Sequence, residues 1–194
     1  MSPMQLRNCS YSASVTVVAC VVAELLTMGS ALADVKLPRV LSSHMVLQRE
    51  LPIHLWGSAD PGELVTVKFS GNSASTTADD KGQWQITLPP LDAASKPRRM
   101  TIVGKNSIEL EDILVGEVWL GSGQSNMEMP LAEAAGAEEA IAAADHPRVR
   151  LFHITHAQSP QPADDVDAAW KPCSPESVAT FSAALYFFGQ QLQE

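Results

Sequence analysis

The pattern of apolar residues changes character at Ile113, and that change sets what the chain can fold into. From Asp34 to about Asp112, apolar residues recur in short runs between turn formers. Ile53-His54-Leu55-Trp56 reads as a short strand closed by Gly57. In Glu63–Phe69 the odd-numbered Val65, Val67 and Phe69 share one face, and Trp84, Ile86 and Leu88 alternate in the same way. Arg99–Val103 and Ser107–Leu110 supply two more short strands around Gly104-Lys105-Asn106. Asp60-Pro61-Gly62 joins a proline with fixed φ to a permissive glycine, and Asp79-Asp80-Lys81-Gly82 is a second turn. Short alternating strands at this spacing predict an antiparallel β-sandwich over 34–112.

Beyond that point the apolar run is continuous. Ile113 to Leu120 is broken only by Gly116 and Glu117, the pattern of a strand buried on both faces of a parallel sheet. Leu131 to Ala144, rich in alanine and glutamate, predicts a helix despite Gly136, with Pro147 ending it. Val149 to Ile154 is a second strand, so the strand–helix–strand order predicts a parallel pair with a right-handed crossover. A polar loop runs from His156 to Asp167. Ser174 as cap, Pro175 at the first helical position and Glu176 beside it then start a last helix. Its Val178, Phe181, Leu185, Phe188 and Leu192 recur at helical spacing and predict a core-facing stripe. Two parallel strands and two helices cannot cover both faces of such a sheet, so 113–194 reads as the opening portion of a larger domain.

The first 33 residues read as an export signal. Arg7 is the lone early positive charge, Ala13–Leu26 is mostly apolar, and Ser30-Ala31-Leu32-Ala33 offers a small-x-small cleavage site before Asp34. The apolar run is short for a membrane span, so no stable span is expected after cleavage. Val17-Val18-Ala19-Cys20 resembles a lipoprotein box, but apolar sequence continues past Cys20. A periplasmic or extracellular location is expected. Cleavage would remove Cys9 and Cys20 and leave Cys173, either a buried thiol or one half of a pair whose other half this chain lacks.

With 45% hydrophobic and 18% charged residues the chain has an ordinary globular composition. Its net charge of −9 argues against nucleic-acid binding, which needs a basic face. No residue pattern calls for a cofactor. His153-x-x-His156 lacks a spaced carboxylate or cysteine to complete a metal site.

The chemistry points to Val115–Pro130. There an apolar run enters a Gly/Ser-rich corner just before a helix, the edge at which α/β sheets present reactive groups. Ser125 is the candidate nucleophile. Gly123 permits the sharp turn that presents it, and Gln124 and Asn126 flank it in the same loop. The pattern is not the elbow of α/β-hydrolases, because Met127 stands where that motif requires glycine. A serine needs a base to take its proton and donors to hold an oxyanion, of which its own backbone N–H is a natural first. On local composition alone, a helix cap is the competing role for Ser125. The five histidines are His44, His54, His146, His153 and His156, and no aspartate precedes any of them by three residues.

Gly123-Gln124-Ser125-Asn126-Met127, preceded by Gly116-Glu117-Val118-Trp119, resembles the nucleophile block of the sialate O-acetylesterase family, a branch of the SGNH hydrolases. Leu37-Pro38, His44-Met45-Val46-Leu47-Gln48-Arg49, Trp56-Gly57-x-Ala59-Asp60-Pro61-Gly62-Glu63 and Gly82-Gln83-Trp84 are similar to that family's opening. Trp170-x-x-Cys173-Ser174-Pro175-Glu176 and Phe181-Ser182-Ala183 through Phe188 are similar to the stretch after the nucleophile. The resemblance implies a β-sandwich followed by the start of a three-layer α/β/α SGNH-type domain. It implies an exported serine esterase that removes O-acetyl groups from sialic acid or other glycans, with an O-acetylated sugar or polysaccharide as its partner. The family's further oxyanion donors and its Asp-x-x-His pair lie in later blocks not found here, so this chain alone is expected to be inactive. Gly121 departs from the family, where cysteine is common. The competing expectation is a non-catalytic exported module for carbohydrate or protein binding, with a remnant hydrolase domain.

Overall fold

The computed structural model describes residues 34–155 and 159–193. The expected export signal, Cys9, Cys20 and His156 lie outside the described residues.

The alternation read from the sequence is realised as strands β1 (Val46–Gln48), β2 (Ile53–Ser58), β3 (Leu64–Phe69), β4 (Asn72–Thr77), β5 (Gln83–Leu88), β6 (Ala94–Val103) and β7 (Ser107–Gly116). A five-stranded sheet has the order β1-β7-β6-β3-β4, and β2 and β5 form an antiparallel ribbon. In the larger sheet β1 runs parallel to β7 and the other neighbours are antiparallel. Val65, Val67 and Phe69 of β3 point into a core shared with Ile53, Leu55, Trp84, Ile86, Leu88, Met100 and Ile102. Each such side chain contributes about 1.5–3 kcal/mol by leaving water. Strand β4 has no counterpart in the pattern of the sequence. Its Asn-Ser-Ala-Ser-Thr-Thr sequence carries no apolar alternation because it is an edge strand, folded back on β3 through Ser70-Gly71. Both turn residues have positive φ (50° and 80°), as a tight hairpin turn requires.

Ile113–Gly116 is a buried strand as expected and pairs in parallel with β1, but its other neighbour, β6, is antiparallel, so the sheet is mixed. It is the end of β7, and Ile113, Leu114 and Val115 are buried between β6 and β1. The rest of the apolar run, Val118–Leu120, belongs to no strand and is exposed. The parallel strand–helix–strand unit is not formed. Strand β8 (His146–Phe152) pairs antiparallel with β9 (Trp170–Cys173). A period of apolar residues reports that a segment is to be buried, not which strand it will pair with.

The helical part is also more broken than the periodicity suggests. Helix α1 (Ser125–Glu128) is one turn long. The helix expected over Leu131–Ala144 is split into a 3₁₀ turn (Leu131–Glu133) and α2 (Ala137–Ala142), because Gly136 turns left-handed at φ 74°. Ser174 caps α3 (Pro175–Val178) as expected, with Ser177 completing a capping box. The chain then leaves the helix before α4 (Ala183–Gln193). Backbone bonds explain the break: Leu131 and Ala132 N–H donate to the Phe181 and Ala179 carbonyls, and Ala183 N–H donates to Met129 O. Hence the stripe does not face a core throughout. Val178 is buried, but Phe188 and Leu192 are exposed, and α4 turns Ala183 and Tyr186 inward to meet Leu131, Ala144, Leu151 and Cys173.

Polar and aromatic contacts fasten β8 and β9 to the first sheet. The Trp170 indole donates to Val40 O at 2.8 Å. The Arg150 guanidinium, 4% exposed, grips both oxygens of Asp112, and His44 Nδ1 lies 2.7 Å from Asp112 Oδ2. Both His44 and Asp112 are left-handed (φ 69° and 55°), a region that histidine and aspartate enter more readily than other residues with a Cβ. Arg150 holds the Asp112 carboxyl below its usual range, with His44 adding to the effect.

Candidate active site

The chain reaches Ser125 through a segment held from one side. Strand β1 ends at Gln48, followed by Arg49, next to the exit of β7. Arg49 N–H donates to Gly116 O at 2.9 Å. Gln48 Oε1 accepts from Val118 N–H at 2.8 Å, and its Nε2 donates to Glu117 at 3.1 Å. Arg49 Nε donates to the same carboxylate at 2.6 Å. These bonds, Gln48's first, keep Glu117 more acidic than an isolated glutamate. Gln48 and Arg49 belong to a motif that the sequence singled out only by resemblance. Nothing local reveals their task, since partners 68–70 residues apart meet only after the sheet forms.

From Glu117 the chain runs without regular structure to α1. Gly121 lies against α4 so closely that an added Cβ would stand 2.7 Å from Leu185 Cγ. Glycine is thus the residue this contact accepts, and a cysteine there would displace Leu185. Gly123 is less constrained, since its Cβ would meet Met127 Cβ at 3.0 Å. The far side of the loop is pinned by Ser182, whose hydroxyl donates to Met127 Sδ at 3.6 Å, and by the Ala183 N–H to Met129 O bond of 2.9 Å.

Within this frame Gln124, Ser125 and Asn126 are all exposed. Gln124 takes the cap position, with no side-chain cap bond, and accepts the Met127 and Glu128 N–H groups through its carbonyl at 2.7 and 3.1 Å. Ser125 is the first helical residue. It is therefore not the capping residue that local composition allowed. A residue at that position has no intrahelical acceptor for its own N–H, so Ser125 presents a hydroxyl and a backbone donor on the same exposed turn.

The structure brings Gly123, Gln124, Ser125 and Asn126 into one loop but joins no base to them. His44 is engaged with Asp112, and His54 Nδ1 meets Thr87 Oγ1 at 3.1 Å on the opposite ribbon. The His146 ring lies near Tyr186, and His153 stands edge-on to Phe181 with centroids 5.9 Å apart. Among the described residues no acidic or histidine side chain hydrogen-bonds Ser125, and no cluster of histidine, cysteine and carboxylate is placed to hold a metal ion. Cys173 is a buried thiol, 1% exposed, with its S–H directed at Ala144 O. Burial, aided by Asp145, pushes it up to about 11, so it is not a nucleophile at neutral pH.

Comparison with known proteins bears on what this loop belongs to. No protein-family profile matches the chain. The chain is 29% identical to mouse (Mus musculus) sialate O-acetylesterase over 174 residues, which is 79% of this chain and 32% of that protein. It is 27% identical to the human (Homo sapiens) sialate O-acetylesterase, covering 79% of this chain and 33% of the relative. The chain thus spans about a third of the length of the curated relatives it matches. Among solved structures, a carbohydrate acetylesterase from Xanthomonas citri superposes with a TM-score of 0.79 at 36% identity, over 82% of this chain and 37% of that one. The resemblance read from Gly123–Met127 and its flanking motifs is therefore borne out: over the stretch they share, this chain is a homologue of the sialate O-acetylesterases.

Proposed function

We propose that the chain carries the nucleophile-bearing part of an exported serine carbohydrate esterase that removes O-acetyl groups from sialic acid or other glycans. The observation that carries this reading is the exposed Ser125 turn, pinned by Ser182 at Met127 and approached through a segment that Gln48 fixes at Val118, in a chain homologous to acetylesterases. In the proposed reaction Ser125 Oγ attacks the acetyl carbonyl and yields its proton to a base. The C–O bond to the sugar breaks, the sugar alcohol leaves with a proton, and the acetyl group stays on Oγ until water releases it as acetate. The Ser125 N–H would stabilise the oxyanion as one donor among several. Among the described residues no base is joined to Ser125, and the resemblance implies an Asp-x-x-His pair for that role.

The same reading places a β-sandwich at 34–112, whose last strand β7 runs on to Gly116, and the first part of a three-layer α/β/α domain at 113–194, reached after removal of 1–33. The net charge of −9 favours neutral over anionic glycans. Acetate release from acetylated xylan and acetylated sialic acid is the test. The chain alone should release none, and a longer form that carries an Asp-x-x-His pair should release acetate and lose that ability in Ser125→Ala. Activity that survives Ser125→Ala refutes the assignment. A second reading, a glycan-binding module without catalysis, draws on the self-contained core of the first sheet and its ribbon. It would be supported by glycan binding with no turnover in a longer form that carries an Asp-x-x-His pair.

A further inference from the structure

Beside β8 and β9 lies a cavity of about 350 Å³ that the ester chemistry at Ser125 does not use. Its floor is apolar, formed by the buried Leu151 and Ala168, and the His153 and Phe181 rings stand edge-on to each other in its wall. Around the opening come Arg39 from the segment before β1, Asp167 from the loop before β9, Lys171 of β9 and Thr180 after α3. Arg39 Nη1 donates to Asp167 Oδ1 at 2.6 Å, and its backbone N–H donates to Asp165 Oδ1 at 3.0 Å. The Lys171 ammonium, the Thr180 hydroxyl and the His153 ring nitrogens make no hydrogen bond or ion pair among the described residues. The wall of the cavity is also the brace of the Ser125 turn. Leu131 and Ala132 N–H donate to the Phe181 and Ala179 carbonyls, and Ser182 holds Met127.

We propose that this cavity is a subsite for one neutral pyranose ring of a glycan chain, joined to the Ser125 turn through residues 179–182. The proposal rests on the glycan-directed reading above. Charge selects the ligand class. Arg39 and Lys171 are balanced by Asp165 and Asp167, so the opening gives an anion or a cation no net attraction. What it offers is donors and acceptors side by side over an apolar floor. A hydroxyl both donates and accepts, so a ring that carries several hydroxyls on a carbon frame matches this set. Lys171 and the free part of the Arg39 guanidinium donate, Asp167 accepts, Thr180 does either, and Phe181 offers an apolar surface to the C–H side of the ring. Ligand pockets span roughly 300–1,000 Å³, and a cavity at the low end takes a single ring.

The test titrates the full chain, labelled for amide NMR, with two neutral probes, xylotetraose and cellotetraose, and with the anionic tetragalacturonate. At least one neutral probe should shift the amides of Lys171, Thr180 and Phe181, and through the shared segment those of Met127 to Ala132. Tetragalacturonate should bind at least about tenfold more weakly, because nothing at the opening compensates its charge. Lys171→Ala, which breaks no pair in the free protein, should weaken neutral binding about tenfold. Ala169→Trp, at an exposed position in the cavity lining, should fill the space and abolish binding while every polar partner stays. Lys68→Ala, an exposed lysine of β3, should leave binding unchanged. The proposal is overturned if neither neutral probe shifts the cavity amides, if tetragalacturonate binds more tightly than both, or if binding survives Ala169→Trp. The esterase reading fails separately. Sugar binding in the cavity, with no acetate release by a longer form that carries an Asp-x-x-His pair, keeps the subsite and refutes the esterase. Acetate release from acetylated xylan by that form, unchanged by Ala169→Trp, does the reverse.

Discussion

Breaking the Arg150–Asp112 pair from its two ends should have unequal effects. Asp112→Asn keeps a residue that tolerates the left-handed backbone at φ 55°, so it removes charge with little change in strain. It strands a guanidinium that is 4% exposed and whose Nε already lacks a partner among the described residues. Breaking a fully buried pair costs about 3–5 kcal/mol, and an exposed pair about 0–1. Asp112 is 30% exposed, and asparagine can still accept one bond, so about 2 kcal/mol is expected. Arg150→Met removes the buried charge and its orphaned Nε while leaving a carboxylate that water and His44 can reach. It should cost about 1 kcal/mol or less. With a urea m-value of about 2 kcal/mol/M, the midpoints should fall by about 1 M and by less than about 0.5 M. Far-UV circular dichroism through a urea series measures both. A larger loss in Arg150→Met than in Asp112→Asn would refute the claim that the desolvated guanidinium decides the energetics. The pH dependence has a definite sign. The folded-state value of Asp112 is depressed below 3.8, so its stabilisation is present above that pH and is lost as pH falls through the lower, folded value. Asp112→Asn should abolish that increment of acid sensitivity.

Gly121→Ala should cost about 1–3 kcal/mol and shift Leu185, because the new methyl overlaps its side chain; thermal denaturation and a methyl NMR spectrum report the two effects. Gln48→Ala should cost about 1 kcal/mol and speed hydrogen exchange at Val118 specifically, whereas Gln48→Glu should repel Glu117 and cost more. Cys173 should react with a thiol reagent at pH 8 only as fast as the protein opens, so its labelling rate should follow urea while an exposed control thiol does not. On the proposed esterase reading, Ser125→Ala in a longer form that releases acetate should lower that release by at least about 1,000-fold with little change in stability, because the side chain is exposed.

The sequence by itself determined the strands with an alternating face. Val65/Val67/Phe69 and Trp84/Ile86/Leu88 are legible because one side of a strand meets water and the other meets the core. It also determined the Ser174 cap, where a single side chain and its neighbours satisfy local backbone donors. The acetylesterase relationship was legible because it resides in motifs. Tertiary structure alone decided where Ile113–Gly116 pairs, that β8 runs antiparallel to β9, and that residues 179–182 leave the helix to bond the Met129–Ala132 backbone. It alone revealed that Gln48 and Arg49 hold the approach to Ser125. The difference is one of range. A local period or cap is fixed by neighbours a few residues away, but a pairing partner or a distant side-chain clamp competes among many segments of equal apolarity, and only the assembled chain selects one.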